Sequence, residues 1–198
     1  MGDTDKKLRA DTQKTRDKLL DVLGRMLQTH GPSISLPALA KEAGVSTATV
    51  YRHFDDVYEL REEFYERILQ NQVDQFRALS EIHTGIELFQ RICETWIDIA
   101  SAWARAATFI RSPEGFLERL KAHDRMVTRF DDVLRPVVVH LIETGVLPEQ
   151  NLDYAILVWI TLFDERVIID LEAALGWNSP TIARTLAATT LSALGHSS

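Results

Sequence analysis

The 198-residue chain has one cysteine, Cys93, so it holds no pair from which an intrachain disulfide could form. That excludes a disulfide-stapled scaffold and fits a reducing cytosol. Cys93 lies within an apolar helical run and reads as a small buried hydrophobe. No apolar run approaches the roughly twenty residues that a membrane-crossing helix needs, and the opening MGDTDKKLRAD lacks signal-peptide character. No useful length alternates polar and apolar residues, which leaves no strand to place, and no internal repeat is found. Glycine-rich phosphate loops and nucleophile elbows are missing too. His140 and Glu143 lie one turn apart while His83 and His123 stand alone, which is not the tight spacing of a metal site. The expectation is an all-α cytoplasmic protein with no enzyme chemistry, no cofactor and no metal.

Hydrophobic residues make up 45% of the chain, enough for a proper core. The net charge of −7 argues by itself against a nucleic-acid binder, but the charge is unevenly spread. Residues 1–54 carry nine Lys/Arg against six Asp/Glu, and residues 55–198 carry thirteen against twenty-three. A basic first segment can meet phosphates, and an acidic remainder keeps non-specific binding weak.

That basic segment contains SLPALAKEAGVSTATVYRHF, Ser35 to Phe54. Ser35 can cap a helix in which Pro37 is tolerated because the first turn needs no donor there. Gly44 suits the positive φ of a helix end, and Ser46 can cap a second helix from Thr47 to His53. Small Ala40 lets the two cross closely, as in a helix-turn-helix. With Val45, Val50 and Phe54 inward, residues Thr47, Ala48, Thr49, Tyr51, Arg52 and His53 face outward. They offer methyl and hydroxyl groups, a guanidinium fork, a phenol and an imidazole, which suit base edges and phosphates.

AKEAGVSTATVYRHF resembles the DNA-binding signature of the tetracycline-repressor (TetR) family of bacterial transcriptional regulators, at the level of motif from about Lys18 to Leu60. Over the rest of the chain the resemblance is architectural. It implies base contacts from Thr47, Ala48 and Arg52, and phosphate contacts from Ser35, Thr49, Tyr51 and His53. The family usually has a phosphate-binding lysine three residues after the closing Phe. Here that position is Val57.

Three regions are expected: a flexible charged tail at 1–13, a DNA-binding domain at 14–56, and a helical ligand-binding and dimerisation domain at 57–198. The apolar positions Leu19, Val22, Leu23, Met26 and Leu27 mark a helix from Thr15 to about Thr29. Asp55 or Asp56 caps a helix from Val57 to about Leu79, joined to the motif through Phe54 and Leu60. In the family, this helix links the DNA-reading head to the body. Further helices are expected at about 86–105, 115–122 and 124–143, with Pro136 as a kink, then one opening at Asn151 or Asp153. The last runs from a Ser179 cap with Pro180 to about Leu194. Ala183, Ala187, Ala188 and Ala193 suggest that the final two helices pair with a second copy, although filling a monomer core explains them nearly as well.

All four tryptophans lie beyond the motif. Phe89, Trp96, Trp103, Phe109, Met126, Phe130, Trp159 and Phe163 are candidate ligand contacts between helices, and plain core is the simpler role for each. Polar groups stand among them: Glu94 with Asp98, Arg105 with Arg111, and Asp164 with Glu165 and Arg166. Ion pairing among these is simpler than ligand binding. The reading is a homodimeric repressor of a palindromic double-stranded operator, released by a small apolar or aromatic effector. A DNA-binding dimer without a ligand, and an enzyme or carrier with a vestigial motif, stay open as alternatives.

Overall fold

The computed structural model describes residues 3–31, 33–107 and 114–196, with side chains for all of these but 3–10, 30 and 104–107. The elements are α1 (Asp3–His30), α2 (Leu36–Ala43), α3 (Thr47–Tyr51), α4 (Val57–Ser80), α5 (Gly85–Ala107), α6 (Phe116–Lys121), α7 (Arg125–Glu143), α8 (Leu152–Leu162), α9 (Glu165–Ala173) and α10 (Ser179–Ala193). The described residues include no strand, and the all-α expectation holds. None of these helices is long and apolar enough to cross a membrane.

The chain forms two compact units, Met1–Arg67 and Ile68–Ser198, and the division falls inside α4. In the first unit, Leu19 and Leu23 of α1, Leu39 of α2, Val50 of α3 and Leu60 of α4 are fully buried, with Phe54 beside them at 1% exposure. Leu19 and Leu23, one turn apart, belong to one apolar face of α1, and with the residues from α2, α3 and α4 they close a small core around the motif. Arg67 on α4 also pairs with Asp21 on α1 at 2.6 Å, an exposed link worth little by itself.

In the second unit, α5 packs against α10, α9 and α7 around a continuous core. Pro136 sits inside α7 without ending it. Asp124 caps α7 by accepting from the N–H groups of Met126 and Val127, both at 3.0 Å. Arg135 holds Asp131 at 2.7 Å on α7 and Asp153 at 2.7 Å on α8, fixing the angle between these helices.

Four boundaries differ from those the sequence suggests. First, α1 begins at Asp3 instead of Thr15, so the backbone of the expected flexible tail is helical from Asp3. Lys6, Lys7, Leu8, Arg9 and Ala10 are good helix formers, and a helix nucleated on the apolar face at Leu19 to Leu27 propagates into them easily. Second, α3 ends at Tyr51 rather than His53, with Arg52 as its C-cap. Third, the apolar run from Ala155 to Phe163 is broken at Asp164, which accepts from the N–H of Arg166 and starts α9. Fourth, Asn178, not Ser179, caps α10, accepting from Thr181 N–H at 3.0 Å. Ser112 and Pro113 lie outside the described residues.

Candidate nucleic-acid interface

Two short helices make the motif rigid because their ends are tied down. Ser35 Oγ accepts from Ala38 N–H at 3.3 Å and opens α2, with Pro37 in the first turn. Gly44 closes α2 in the left-handed conformation, φ 65°, and its N–H reaches the last-turn carbonyls of Ala40 and Lys41. A side chain there would strain that conformation, so glycine is required by the turn. Ser46 then opens α3. Its Oγ accepts from Thr49 N–H at 3.0 Å and shares a 2.8 Å hydrogen bond with Thr49 Oγ1.

Val50 at 0% exposure anchors α3 from below. Thr47, Ala48, Tyr51 and Arg52 are exposed around it, and Thr49 is half-buried. Ser35 is also exposed, at the N-terminal end of α2. Six of the seven expected DNA-contact residues are thus on or near the surface of the motif. Two of them, Ser35 and Thr49, already use their hydroxyls within it.

His53 is the exception. It was expected to face outward, but α3 has ended before it, and the following turn carries its side chain inward to 7% exposure. Its Nε2 is sealed from solvent and has no hydrogen-bond partner. Burial, helped by the positive charges of Arg52 and Arg16, lowers its pKa below the usual value of 6.5 and keeps the imidazole neutral.

The start of α4 carries acids where the resemblance implies a cation. Asp56 Oδ1 accepts from Glu59 N–H at 2.8 Å, and Glu59 Oε2 accepts from Asp55 N–H at 2.7 Å, a reciprocal cap. Val57 is half-buried in the first turn and its side chain offers no donor to a phosphate.

Sequence reasoning missed Arg16 altogether. Its Nε donates to both Glu63 carboxylate oxygens at 2.7 Å, its NH1 donates to the His53 carbonyl at 2.6 Å, and its NH2 lies 3.5 Å from Glu59. Its guanidinium carbon stands 4.4 Å from the centre of the Phe54 ring. The hydrogen bond to Glu63 raises its pKa further, against the opposing pull of burial, so Arg16 is always charged. As one polar residue before the apolar stripe of α1, it carries no local signal in the sequence.

The second unit brings together five of the eight candidate ligand contacts. Phe89 and Trp159 have ring centres 4.6 Å apart, and Trp96 lies 5.0 Å from Phe130, 5.1 Å from Phe163 and 6.3 Å from Trp159. Phe76 of α4, not singled out in the sequence, joins at 5.7 Å from Trp96. It stands three residues after buried Val73, which is the spacing that could have revealed it. Met126 is buried in the first turn of α7, Trp103 is half-buried, and Phe109 lies outside the described residues. Cys93 is fully buried in the same core, and burial pushes its thiol well above the ordinary range, partly offset by the Trp159 indole. Gln72 is 4% exposed and its Nε2 has no hydrogen-bond partner.

Two of the polar groups within the apolar runs pair locally. Glu94 meets Arg91 at 3.0 Å on the same helix, and Arg166 meets Asp164 at 3.3 Å. The Arg105 side chain and Arg111 lie outside the described residues. Glu94 and Asp98 instead line a groove of about 630 Å³ between α5 and α10, floored by Ala183, Ala187 and Ala188. Ala183 and Ala187 are buried in their own chain, whereas Ala188 and Ala193 are exposed.

Known proteins share both parts of this architecture. Residues 19–64 match the family model described as bacterial regulatory proteins, tetR family. An HTH-type transcriptional regulator of Staphylococcus aureus strain USA300 is 27% identical over 85 residues, covering 42% of this chain and 46% of the relative. The chain therefore spans about half the length of the curated relatives it matches. Among solved structures, the fatty acid degradation regulator FadR from Bacillus halodurans superposes with a TM-score of 0.73 at 16% identity, over 92% of this chain and 97% of that one. FadR from Bacillus subtilis, solved in complex with stearoyl-CoA, superposes with a TM-score of 0.69 at 14% identity, over 88% and 97% of the two chains. At these identities the likeness is one of fold. Motif, capped helix pair and all-α architecture agree: residues 19–64 match the helix-turn-helix unit of the tetR family of bacterial regulatory proteins, and the chain shares the fold of these solved regulators.

Proposed function

We propose that the protein is a ligand-responsive transcriptional repressor that binds a palindromic operator as a homodimer. The observation that carries this reading is the surface of α3. Thr47, Ala48, Tyr51 and Arg52 stand exposed on a helix whose N-terminus Ser46 caps and whose underside Val50 anchors. A core-packing helix has no use for these four residues outside, whereas the major groove does. Arg52 would read a base edge, Thr47 and Ala48 would supply further base contacts, and Tyr51, Thr49 and Ser35 would hold phosphates. Binding would take place in the cytoplasm.

The unit beyond Arg67 would serve as the sensor. Its aromatic cluster suits an apolar or aromatic effector, and the buried Gln72 Nε2 supplies a donor that an acceptor oxygen on the effector would satisfy. A long-chain acyl thioester bound to a neighbour of the same fold is consistent with such a sensor. The exposed small residues Ala188 and Ala193 on α10 leave room for a second copy to pack closely along the last helices. Release from DNA needs an effector that prefers one of two dimer conformations by only about 1–3 kcal/mol.

Selection of binding sites from randomised duplex DNA tests the reading. An enriched palindrome with half-sites about one helical turn or a small multiple apart, bound by two protomers, is the expected result. Weak, steeply salt-dependent binding without enrichment would contradict it.

A further inference from the structure

We infer that Arg16 is the positioning residue of the DNA-reading helix: its guanidinium locks α1, the C-terminal end of α3 and the first turns of α4 into one block. The inference rests on the DNA-binding reading and deepens it by naming what holds α3 in register.

The geometry is that of a fork used on every side. Nε bridges both oxygens of Glu63 on α4 at 2.7 Å, and NH2 also donates to Glu63 and approaches Glu59 at 3.5 Å. NH1 is left for the carbonyl of His53 at 2.6 Å. That carbonyl belongs to the turn that leaves α3, where helix geometry supplies carbonyls with no internal partner. A cation at this end is favoured by the helix dipole as well. The flat guanidinium then covers the Phe54 ring at 4.4 Å. Lysine could supply the charge but not this set of directions.

Charge gives a second reason. Asp55, Asp56, Glu59, Glu62 and Glu63 crowd the nine residues 55–63 that follow the motif, and each would repel a phosphate approaching it. Arg16 neutralises Glu63 and Glu59 within that run, in a chain that has Val57 where the resemblance implies a lysine. Without it, α3 would lose its anchor and acquire two uncompensated carboxylates close by.

The test compares the full-length protein with Arg16→Lys, Arg16→Met and, as a contact control, Arg52→Ala. Each is titrated by fluorescence anisotropy against the operator duplex enriched by selection and against a scrambled duplex. Hydrogen exchange is followed at the amides of His53 and Phe54, which bond to the Val50 carbonyl at 2.9 and 3.0 Å. Arg16→Lys is expected to lose about tenfold in operator affinity, the scale of one charge-assisted hydrogen bond, with a smaller change on the scrambled duplex. Arg16→Met is expected to lose more. In both, the His53 and Phe54 amides should exchange faster while those around Leu19 and Leu23 keep their protection. Arg52→Ala should lose operator affinity with wild-type exchange. Wild-type exchange at His53 and Phe54 in Arg16→Met would overturn the inference, and so would a uniform loss of protection across α1 that accounts for the weaker binding. If no duplex is enriched by the wild-type protein, the DNA-reading proposal fails on its own, and the exchange pattern still decides whether Arg16 holds the end of α3.

Discussion

Ser46 and Thr49 are joined twice, by the Thr49 N–H on Ser46 Oγ at 3.0 Å and by their two hydroxyls at 2.8 Å. A helix of five residues has almost no stability of its own, so this cap and the burial of Val50 set where α3 begins and which way it faces. Ser46→Ala should lower the stability of the N-terminal unit by about 1 kcal/mol, measured by denaturant unfolding, and should weaken operator binding. Ser46→Asp should retain the stability, since aspartate also caps. An unchanged midpoint in the alanine variant would show that the cap contributes nothing.

Val57→Lys offers the opposite change. Position 57 is half-buried in the first turn of α4, and a lysine there can lay its stem along the protein while its ammonium reaches outward. The expected outcome is tighter binding to all duplexes, with a salt-dependence slope steeper by about 1, as for one added phosphate contact. A slope equal to that of the wild type would mean that the start of α4 stays clear of the backbone.

The buried His53 makes a pH prediction with a definite sign. Its folded-state pKa is lowered by burial and by the nearby Arg52 and Arg16, so the unfolded chain takes up its proton first as pH falls. His53 therefore supports the fold above its unfolded pKa of about 6.5, and that support drains away as pH drops below this value toward the folded pKa. The N-terminal unit should melt at lower temperature at pH 5.5 than at pH 7.5. His53→Gln should flatten this difference, and a pH slope that is the same in both proteins would refute the assignment.

In the second unit, Trp96 is the ring that touches most of the others: Phe76, Phe130, Phe163 and Trp159. Trp96→Ala should cost about 3–5 kcal/mol, because neighbours that pack on one another cannot collapse into the space. Calorimetry of the full chain would show it as a loss in the transition of the second unit. A cost below about 1 kcal/mol would mean that the space beside Trp96 is already loose.

The N-terminal motif was legible in the sequence because its signals are local. Ser35, Pro37, Gly44 and Ser46 each fix a helix end through their own backbone or hydroxyl, and the structure uses all four as read. Asp56 and Asn151 serve as the caps expected of them or their neighbours. What failed depends on distance or on competition. His53 was placed outward by extending α3 too far, since periodicity cannot show that a helix stops at Tyr51. Asp164 sat in an apolar run and read as an intruder, although its carboxylate was the start signal of α9. Arg16 gave no signal because its partners lie 37 to 47 residues away. The aromatic cluster was legible as a set of apolar rings but not as an arrangement, so Phe76 was passed over while Phe89, Trp96, Phe130, Trp159 and Phe163 were named.

The most direct test of the central claim is the binding of wild type and Arg52→Ala to every single-base variant of the selected operator. The exposed guanidinium of Arg52 should read one position in each half-site. The variant should lose about 1–3 kcal/mol on the best site and become indifferent to the base at that position alone, with discrimination elsewhere retained. An Arg52→Ala profile that matches the wild type at every position would contradict the assignment of α3 as the DNA-reading helix.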